Sequence, residues 1–264
     1  MLLLGRKTNK NEMLREERLQ YILQKLVQQQ RVSSVELSQE LNVSDDTIRR
    51  DLNELAKDGL LKKVHGGAVP AVPKAPAPLK LTERIAYAQT EKQEIAQKAL
   101  AVFESGQTII LDNGSTNMLI ARSLPPELQV QIFTNSLSIA QILSEHPNVE
   151  VHLMGGWIFK RAQVTLGAAV INMIERLRPD LCIMGVCSIH HELGVTTPYW
   201  EEALVKQKMT QVSKKVIATA WKDKFNTAET CKVCDYEELD LLITSSQAPT
   251  ENLSSYLNKG VEIW

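Results

Sequence analysis

Arg49 and Arg50 stand side by side one helical turn after Asp45 and Asp46, inside the run VSDDTIRRDLNELAKDGLLKKVHGGA at residues 43–68. A guanidinium fork donates two parallel hydrogen bonds to the major-groove edge of guanine, whereas a lysine ammonium on a phosphate adds affinity without sequence information. These residue types fit reading and anchoring on double-stranded DNA, with Arg49, Arg50 and Thr47 as readers and Lys62 and Lys63 as anchors. Taken alone, two arginines would only pair with Asp46 or Glu54 on a solvated helix face, so the case rests on the elements around them.

Ser44 follows the apolar Val43 and is placed to cap a helix, its hydroxyl accepting from exposed amides while Asp45 and Asp46 complement the positive helix end. Ile48, Leu52 and Leu55 form one apolar stripe, which turns Thr47, Arg49, Arg50 and Asn53 outward until Gly59 stops the helix. Upstream, Ser33-Ser34-Val35-Glu36 reads as a capping box opening a short helix through Leu41. Only Asn42 and Val43 separate the two helices, the spacing of a helix-turn-helix. Leu19, Ile22, Leu23, Leu26 and Val27 recur at helical spacing and supply a third wall of a small core. After Gly59, residues 60–64 lead into His65-Gly66-Gly67, which suits a two-stranded wing. The expectation is a winged helix-turn-helix at residues 13–68, with DNA contacts from Ser33, Ser44, Asp45, Thr47, Arg49, Arg50, Asn53, Lys62, Lys63, His65 and Gly66.

A second constellation begins at Asp112-Asn113-Gly114-Ser115-Thr116, between an apolar strand at 108–111 and a helix. Glycine lets backbone approach a ligand, the hydroxyls of Ser115 and Thr116 donate, and the helix start offers unpaired amides, which together suit a phosphate. Asp112 is placed to accept from a sugar hydroxyl. A Gly-Ser-Thr turn by itself is ordinary punctuation, but Thr134-Asn135-Ser136 and Gly155-Gly156 follow the next two strands with similar chemistry. Glu202 and Lys206 are one turn apart on a helix, either a plain i, i+4 salt bridge or a carboxylate and ammonium lining the same pocket.

The elements that position this set alternate. A helix or helix pair is expected at 82–103, strands at 108–111, 130–133, 149–154, 181–186, 216–220, 241–244 and 261–264, and helices at 117–124, 137–144, 168–176 and 201–212. Several strands are continuous apolar runs, as expected where helices cover both sheet faces. The fold class is α/β: an open, mostly parallel sheet over 81–264, which gathers ligands beyond the carboxyl ends of its strands.

Pro70, Pro73, Pro76 and Pro78 alternate with alanine and valine and mark 69–80 as a semi-rigid linker. Net charge is −1, yet residues 1–80 carry 14 basic and 10 acidic side chains and the remainder 16 and 21, so the DNA end is the positive end. The first four residues are too short for a signal core and no apolar run approaches a membrane span, which places the protein in the cytoplasm. Residues 1–12 form a loose arm, with Met13 as the expected natural start. Cys231 and Cys234 have ligand-like spacing, but Cys182 and Cys187 fall in apolar surroundings where free cysteine packs as a small hydrophobe, so no metal is assigned. His190-His191-Glu192 reads as solvated surface in a loop. The usual nucleotide, hydrolase and zinc-protease motifs do not occur, and no cofactor is expected.

Residues 18–68 resemble the DNA-binding head of DeoR-type bacterial transcriptional regulators, carried by Arg18, Ile22, Leu26, Val32, Glu36, Leu37, Leu41, Val43, Ser44, residues 47–52, Leu55, Gly59, Leu60 and residues 65–68. The region from Thr82 onward resembles the effector domain of the same family, a sheet fold similar to ribose-5-phosphate isomerase, through Arg84, Asp112, residues 114–116, Thr134, Asn135, Gly155, Gly156, Gly167, Gly185, Gly194, Thr196, Thr197, Glu202, Ala203, Lys206, Lys224 and Phe225. The resemblance implies a dimer or tetramer that binds operator DNA and senses a phosphorylated sugar, and it adds Gly185 and Lys224 to the effector site. It implies repression of a carbohydrate-utilisation operon; the competing reading is a sugar-phosphate isomerase or deaminase carrying a DNA-binding head. The chain departs from the family where relatives carry aspartate and glycine after Gly185, here Cys187-Ser188-Ile189, and where they tend to carry aspartate, here Trp221. Trp221, Tyr199 and Trp200 are expected to give a less polar or stacking pocket.

Overall fold

The computed structural model describes residues 14–75, 81–248, 250–257 and 259–264, and the chain divides into two compact units after Pro73. Met13, the arm before it, and Pro76 and Pro78 of the linker lie outside the described residues.

The first unit runs α1 (Arg15–Gln29), β1 (Val32–Ser33), α2 (Ser34–Leu41), α3 (Asp45–Lys57), β2 (Leu61–Val64) and β3 (Gly67–Pro70). The hydroxyls of Ser33 and Ser44 accept from the amides of Glu36 and Thr47, starting α2 and α3 where the sequence places their caps. Asn42 makes the turn between them with a positive φ of 52°. Ile22, Leu26, Leu37, Ile48, Leu52 and Leu55 close a core under the wing. A bidentate buried ion pair ties α1 to α3, with Arg18 Nε 2.5 Å and Nη2 3.1 Å from the Asp51 carboxylate. The wing is longer than expected: Val69 and Pro70 pair with Lys62 and Leu61 in the sheet rather than opening the linker. Gly67 is needed where β3 crosses β1, because a Cβ there would lie 1.9 Å from the Val32 carbonyl oxygen.

The second unit opens with α4 (Leu81–Ala86) and α5 (Gln89–Ala99). β4 (Thr108–Leu111), α6 (Ser115–Ser123), β5 (Val130–Thr134), α7 (Leu137–Leu143) and β6 (Val149–Leu153) then alternate. A hairpin of β7 (Trp157–Phe159) and β8 (Val164–Leu166) leads to α8 (Ala168–Ile174), β9 (Leu181–Gly185), β10 (Ser188–His190) and β11 (Gly194–Thr197). α9 (Trp200–Val212), β12 (Lys215–Thr219), β13 (Cys231–Cys234), β14 (Leu241–Ile243), α10 (Thr250–Leu257) and β15 (Glu262–Ile263) complete it.

Seven of these strands form one sheet in the order β15-β14-β12-β9-β4-β5-β6, every neighbouring pair parallel. Side chains alternate between two cores. Ile109, Leu111, Ile183 and Ile217 face one, and Ile110, Cys182, Met184 and Ala218 face the other. The antiparallel pieces were not anticipated: the β7–β8 hairpin, the small sheet β10-β11-β13, and α10 beyond them. No helix among the described residues is long and apolar enough to cross a membrane.

Candidate functional site

The head offers the outer face of α3 and the wing. Arg49 and Arg50 close i, i+4 ion pairs with Asp45 at 3.0 Å and Asp46 at 2.7 Å, yet their side chains stay 68% and 80% exposed. Such surface pairs are worth at most about 1 kcal/mol, so either guanidinium can be handed to a base edge at small cost. Ser44 and Thr47 share a hydrogen bond between their hydroxyls at 2.8 Å, and Ser33 is likewise engaged as a cap. Lys63 Nζ donates to Asn53 Oδ1 at 2.5 Å, which sets the wing against α3. Lys62 is exposed on β2, and His65 and Gly66 are exposed at the wing tip, where Gly66 takes a φ of 76°.

In the large sheet, the chain runs outward from β4 through β5 and β6, then returns to β9 on the other side of β4. Open parallel sheets take ligands at such a reversal. A cavity of about 290 Å³ lies beyond the ends of β4 and β9. One wall is the start of α6, Asn113 to Thr116, with Gly114 at a φ of 141°. Gly185 faces it, and a Cβ there would lie 2.1 Å from the Asn113 carbonyl oxygen.

Beneath that wall sits a closed charge network. The Lys206 ammonium donates to the Asp112 carboxylate and to the Gly185 carbonyl oxygen at 2.9 Å, with Glu202 at 3.8 Å. Asp112 also accepts from the Gly185 amide at 3.0 Å, while Glu202 accepts from Asn113 at 3.3 Å and from Thr197 at 3.2 Å. Burial alone would push Lys206 down, but Asp112 and Glu202 beside it hold it above the ordinary lysine value.

The opposite wall is cationic and open. Lys92 donates to the carbonyl oxygens of Arg84 and Tyr87, leaving a third donor. Lys92 and Lys224 lie 5.6 and 5.0 Å from the Trp221 ring centroid, within cation–π reach, and Tyr87 packs on the same ring at 5.1 Å. Arg84 Nε is buried with no hydrogen-bond partner among the described residues. Burial, then the neighbouring Lys224 and Arg84 charges, push Lys92 down to about 8. Burial, with Arg84 nearby, also lowers Lys224. Among the described lining residues the one carboxylate outside the closed network is Glu229, which burial raises. Arg84, Lys92 and Lys224 thus gather three cations around one cavity, an arrangement whose chemistry suits an anion.

A model of the DeoR C terminal sensor domain matches residues 87–246, and one of the DeoR-like helix-turn-helix domain matches residues 18–72. The chain belongs to the DeoR family. It is similar to the HTH-type transcriptional repressor GlcR of Bacillus subtilis (strain 168), 32% identical over 95% of this chain and 96% of that protein. It is also similar to the putative aga operon transcriptional repressor of Escherichia coli O157:H7, 30% identical over 94% of this chain and 92% of that one. Among solved structures, ribose 5-phosphate isomerase A of Methanocaldococcus jannaschii gives a TM-score of 0.39 at 13% identity, covering 52% of this chain and 54% of that one. That likeness is remote.

In this DeoR-family chain, Gly114, Ser115, Thr116, Gly185, Lys206 and Lys224 meet at the cavity, with Asp112 and Glu202 bonded behind them. Thr134, Asn135, Gly155 and Gly156 do not line it. Thr134 Oγ1 accepts from the Ser136 amide, Asn135 donates to the Thr165 carbonyl oxygen, and Gly156 is a close approach whose Cβ would lie 2.4 Å from the Leu166 carbonyl oxygen. Of the three expected aromatics only Trp221 reaches the cavity. Tyr199 packs on Phe159 and Arg161, and Trp200 is 65% exposed. Lys92 and Tyr87 were missed, although Lys92 interrupts the apolar stripe of Ile95, Ala96 and Ala99 on α5, a visible anomaly.

His190-His191-Glu192 is a solvated turn only in part: His191 and Glu192 lie in the turn after β10, with Glu192 exposed, but His190 does not. His190 is buried in β10, and its Nδ1 accepts from the Glu192 and Leu193 amides. The three residues form the one His/Cys/Asp/Glu group among the described residues close enough to hold a metal. Cys231 and Cys234 lie on β13, where a register shift pairs them with Thr197 and Val195 of β11, and both pack against the same hydrophobic core as free thiols.

Proposed function

We propose that this DeoR-family protein represses carbohydrate-utilisation genes, its head holding operator DNA and its sensor cavity admitting a phosphorylated sugar that changes the head's affinity. The observation that carries the sensor half is the cationic wall: Arg84, Lys92 and Lys224 around one cavity, with Arg84 Nε buried and unpartnered among the described residues. A phosphate dianion supplies the missing acceptors, and the start of α6 across the cavity adds backbone amides. The relatives' names as repressors support the sign of regulation. The protein works as a homo-oligomer in the cytoplasm, because paired heads are what read paired half-sites.

The relatives' names as repressors favour sensing over catalysis. Of the carboxylates near the cavity, Asp112 is already bonded to Lys206 and to the Gly185 amide, which leaves Glu229 on the wall as the group an enzyme would have to use for proton abstraction beside a carbonyl. A thermal-shift panel of sugar phosphates, followed by a gel shift on the gene's own upstream DNA with any hit, tests the proposal. A hit that alters the gel shift supports it; conversion of ribose 5-phosphate or an amino-sugar phosphate by the purified protein would favour the enzyme.

A further inference from the structure

The sensor unit begins at Lys74, the residue after Pro73 that closes the head unit. Its second residue, Ala75, is 8% exposed and forms part of the cavity wall together with Arg84, Lys92 and Lys224. Burial at that level is unusual for a residue in a connecting segment, since connections run over the surface. On the same rim stands Glu229, a cavity-lining carboxylate drawn by the charges of both Lys74 and Lys224. The segment that leads to the head is therefore in the wall of the site and in its electrostatics, with no intervening element.

We propose that the effector is read directly by this entry segment: a ligand filling the cavity touches the Ala75 methyl and pins residues 71–75. The inference rests on the cavity being the effector site. Coupling to the head then needs no path through the packed sheet, only a change in how the chain leaves the sensor. A ligand can shift an equilibrium only by its differential contacts with the two states, and Ala75, in the cavity wall, is where such a contact falls.

Hydrogen exchange of the full chain, alone and with glycerol 3-phosphate, fructose 1-phosphate, glucose 6-phosphate or glucosamine 6-phosphate, tests this. A compound that slows exchange at 112–118 is expected to slow it at 71–75 as well. Slowing at 112–118 with residues 71–75 unchanged overturns the inference while leaving the site intact. Should none of the four protect 112–118, the effector reading suffers instead, and Ala75→Trp decides the coupling without ligand. Its indole occupies the cavity from the linker side and is expected to change operator affinity about fivefold or more, the lower end of usual coupling strengths. A folded Ala75→Trp protein, judged by an unchanged sensor melting transition, with wild-type operator affinity overturns the proposal.

Discussion

Arg50 and Lys63 carry one positive charge each on the head, but geometry gives them different work. Arg50 projects from the reading helix and is 80% exposed, whereas Lys63 is bound to Asn53 from the wing. Replacing Arg50 by alanine is expected to cost about 1–3 kcal/mol of operator binding and to relax preference at one base position. Lys63→Ala should instead weaken all duplexes alike and lower the slope of log affinity against log salt by about one. Gel shifts on operator and scrambled duplexes over a salt series separate the two, and identical profiles would remove the assignment. Lys92 makes the matching statement about the sensor. It titrates near 8 because burial and two neighbouring cations oppose its charge. An anion beside it favours the protonated form and raises that value, so binding takes up protons near pH 8, and affinity that is full below the free value falls as pH rises through it. The dissociation constant of a phosphorylated ligand should rise toward about tenfold per pH unit above about 8, and Lys92→Met should flatten the profile; titration calorimetry in buffers of different ionisation enthalpy reads both. The outward placement of Arg49 and Arg50 on α3 was legible in the sequence because cap, stripe and turn surround them within one stretch. Lys92 was not, because its partners Arg84, Trp221 and Lys224 come from elements up to 132 residues away.

Elements divide into those a local pattern specifies and those only pairing creates. α2 and α3 start at serine caps, and the sheet strands are apolar runs, so both could be read directly. The strands β7, β8 and β10 are three residues long, too short for an alternation to show, and they exist because a partner strand supplies their hydrogen bonds. Thr134 and Asn135 follow from the same limit: small polar residues at a strand end look alike whether they face a ligand or bond the neighbouring hairpin, as Asn135 does through Thr165. How α3 is held in the head is a tertiary fact of this kind, since Arg18 and Asp51 are 33 residues apart. Asp51→Ala leaves the Arg18 guanidinium buried without its carboxylate, at a cost of about 3 kcal/mol. That is a large share of what a domain this small holds in reserve, so the head should melt early while the sensor transition stays put. Calorimetry of the full chain checks it; a single unshifted transition would mean the pair does not hold α3.

At the scale of the whole molecule, the charge is split: +4 over residues 1–80, from 14 basic and 10 acidic side chains, and −5 over the rest, from 16 and 21. The excess of acidic side chains over residues 81–264 adds no attraction for a duplex, so the salt slope counts the phosphate contacts that the basic side chains of the N-terminal part make, about 0.9 for each. One head of this size covers a single half-site, and in the homo-oligomer proposed above two heads would act together on an operator. Heads that share one assembly meet half-sites on one face of the duplex only when those sites are spaced by whole turns, about 34 Å each. Adding about 5 base pairs between half-sites turns one of them to the far side, and the assembly must then twist the duplex, stretch its own linkers or release a head. Affinity is expected to fall about tenfold or more at that insertion and to recover in part at about 10 base pairs, while the salt slope at half-turn spacing drops toward that of a single head. Gel shifts on a set of spacers measure this directly. Affinity that is indifferent to spacing, with one half-site footprinted in every case, would mean that the heads read DNA singly.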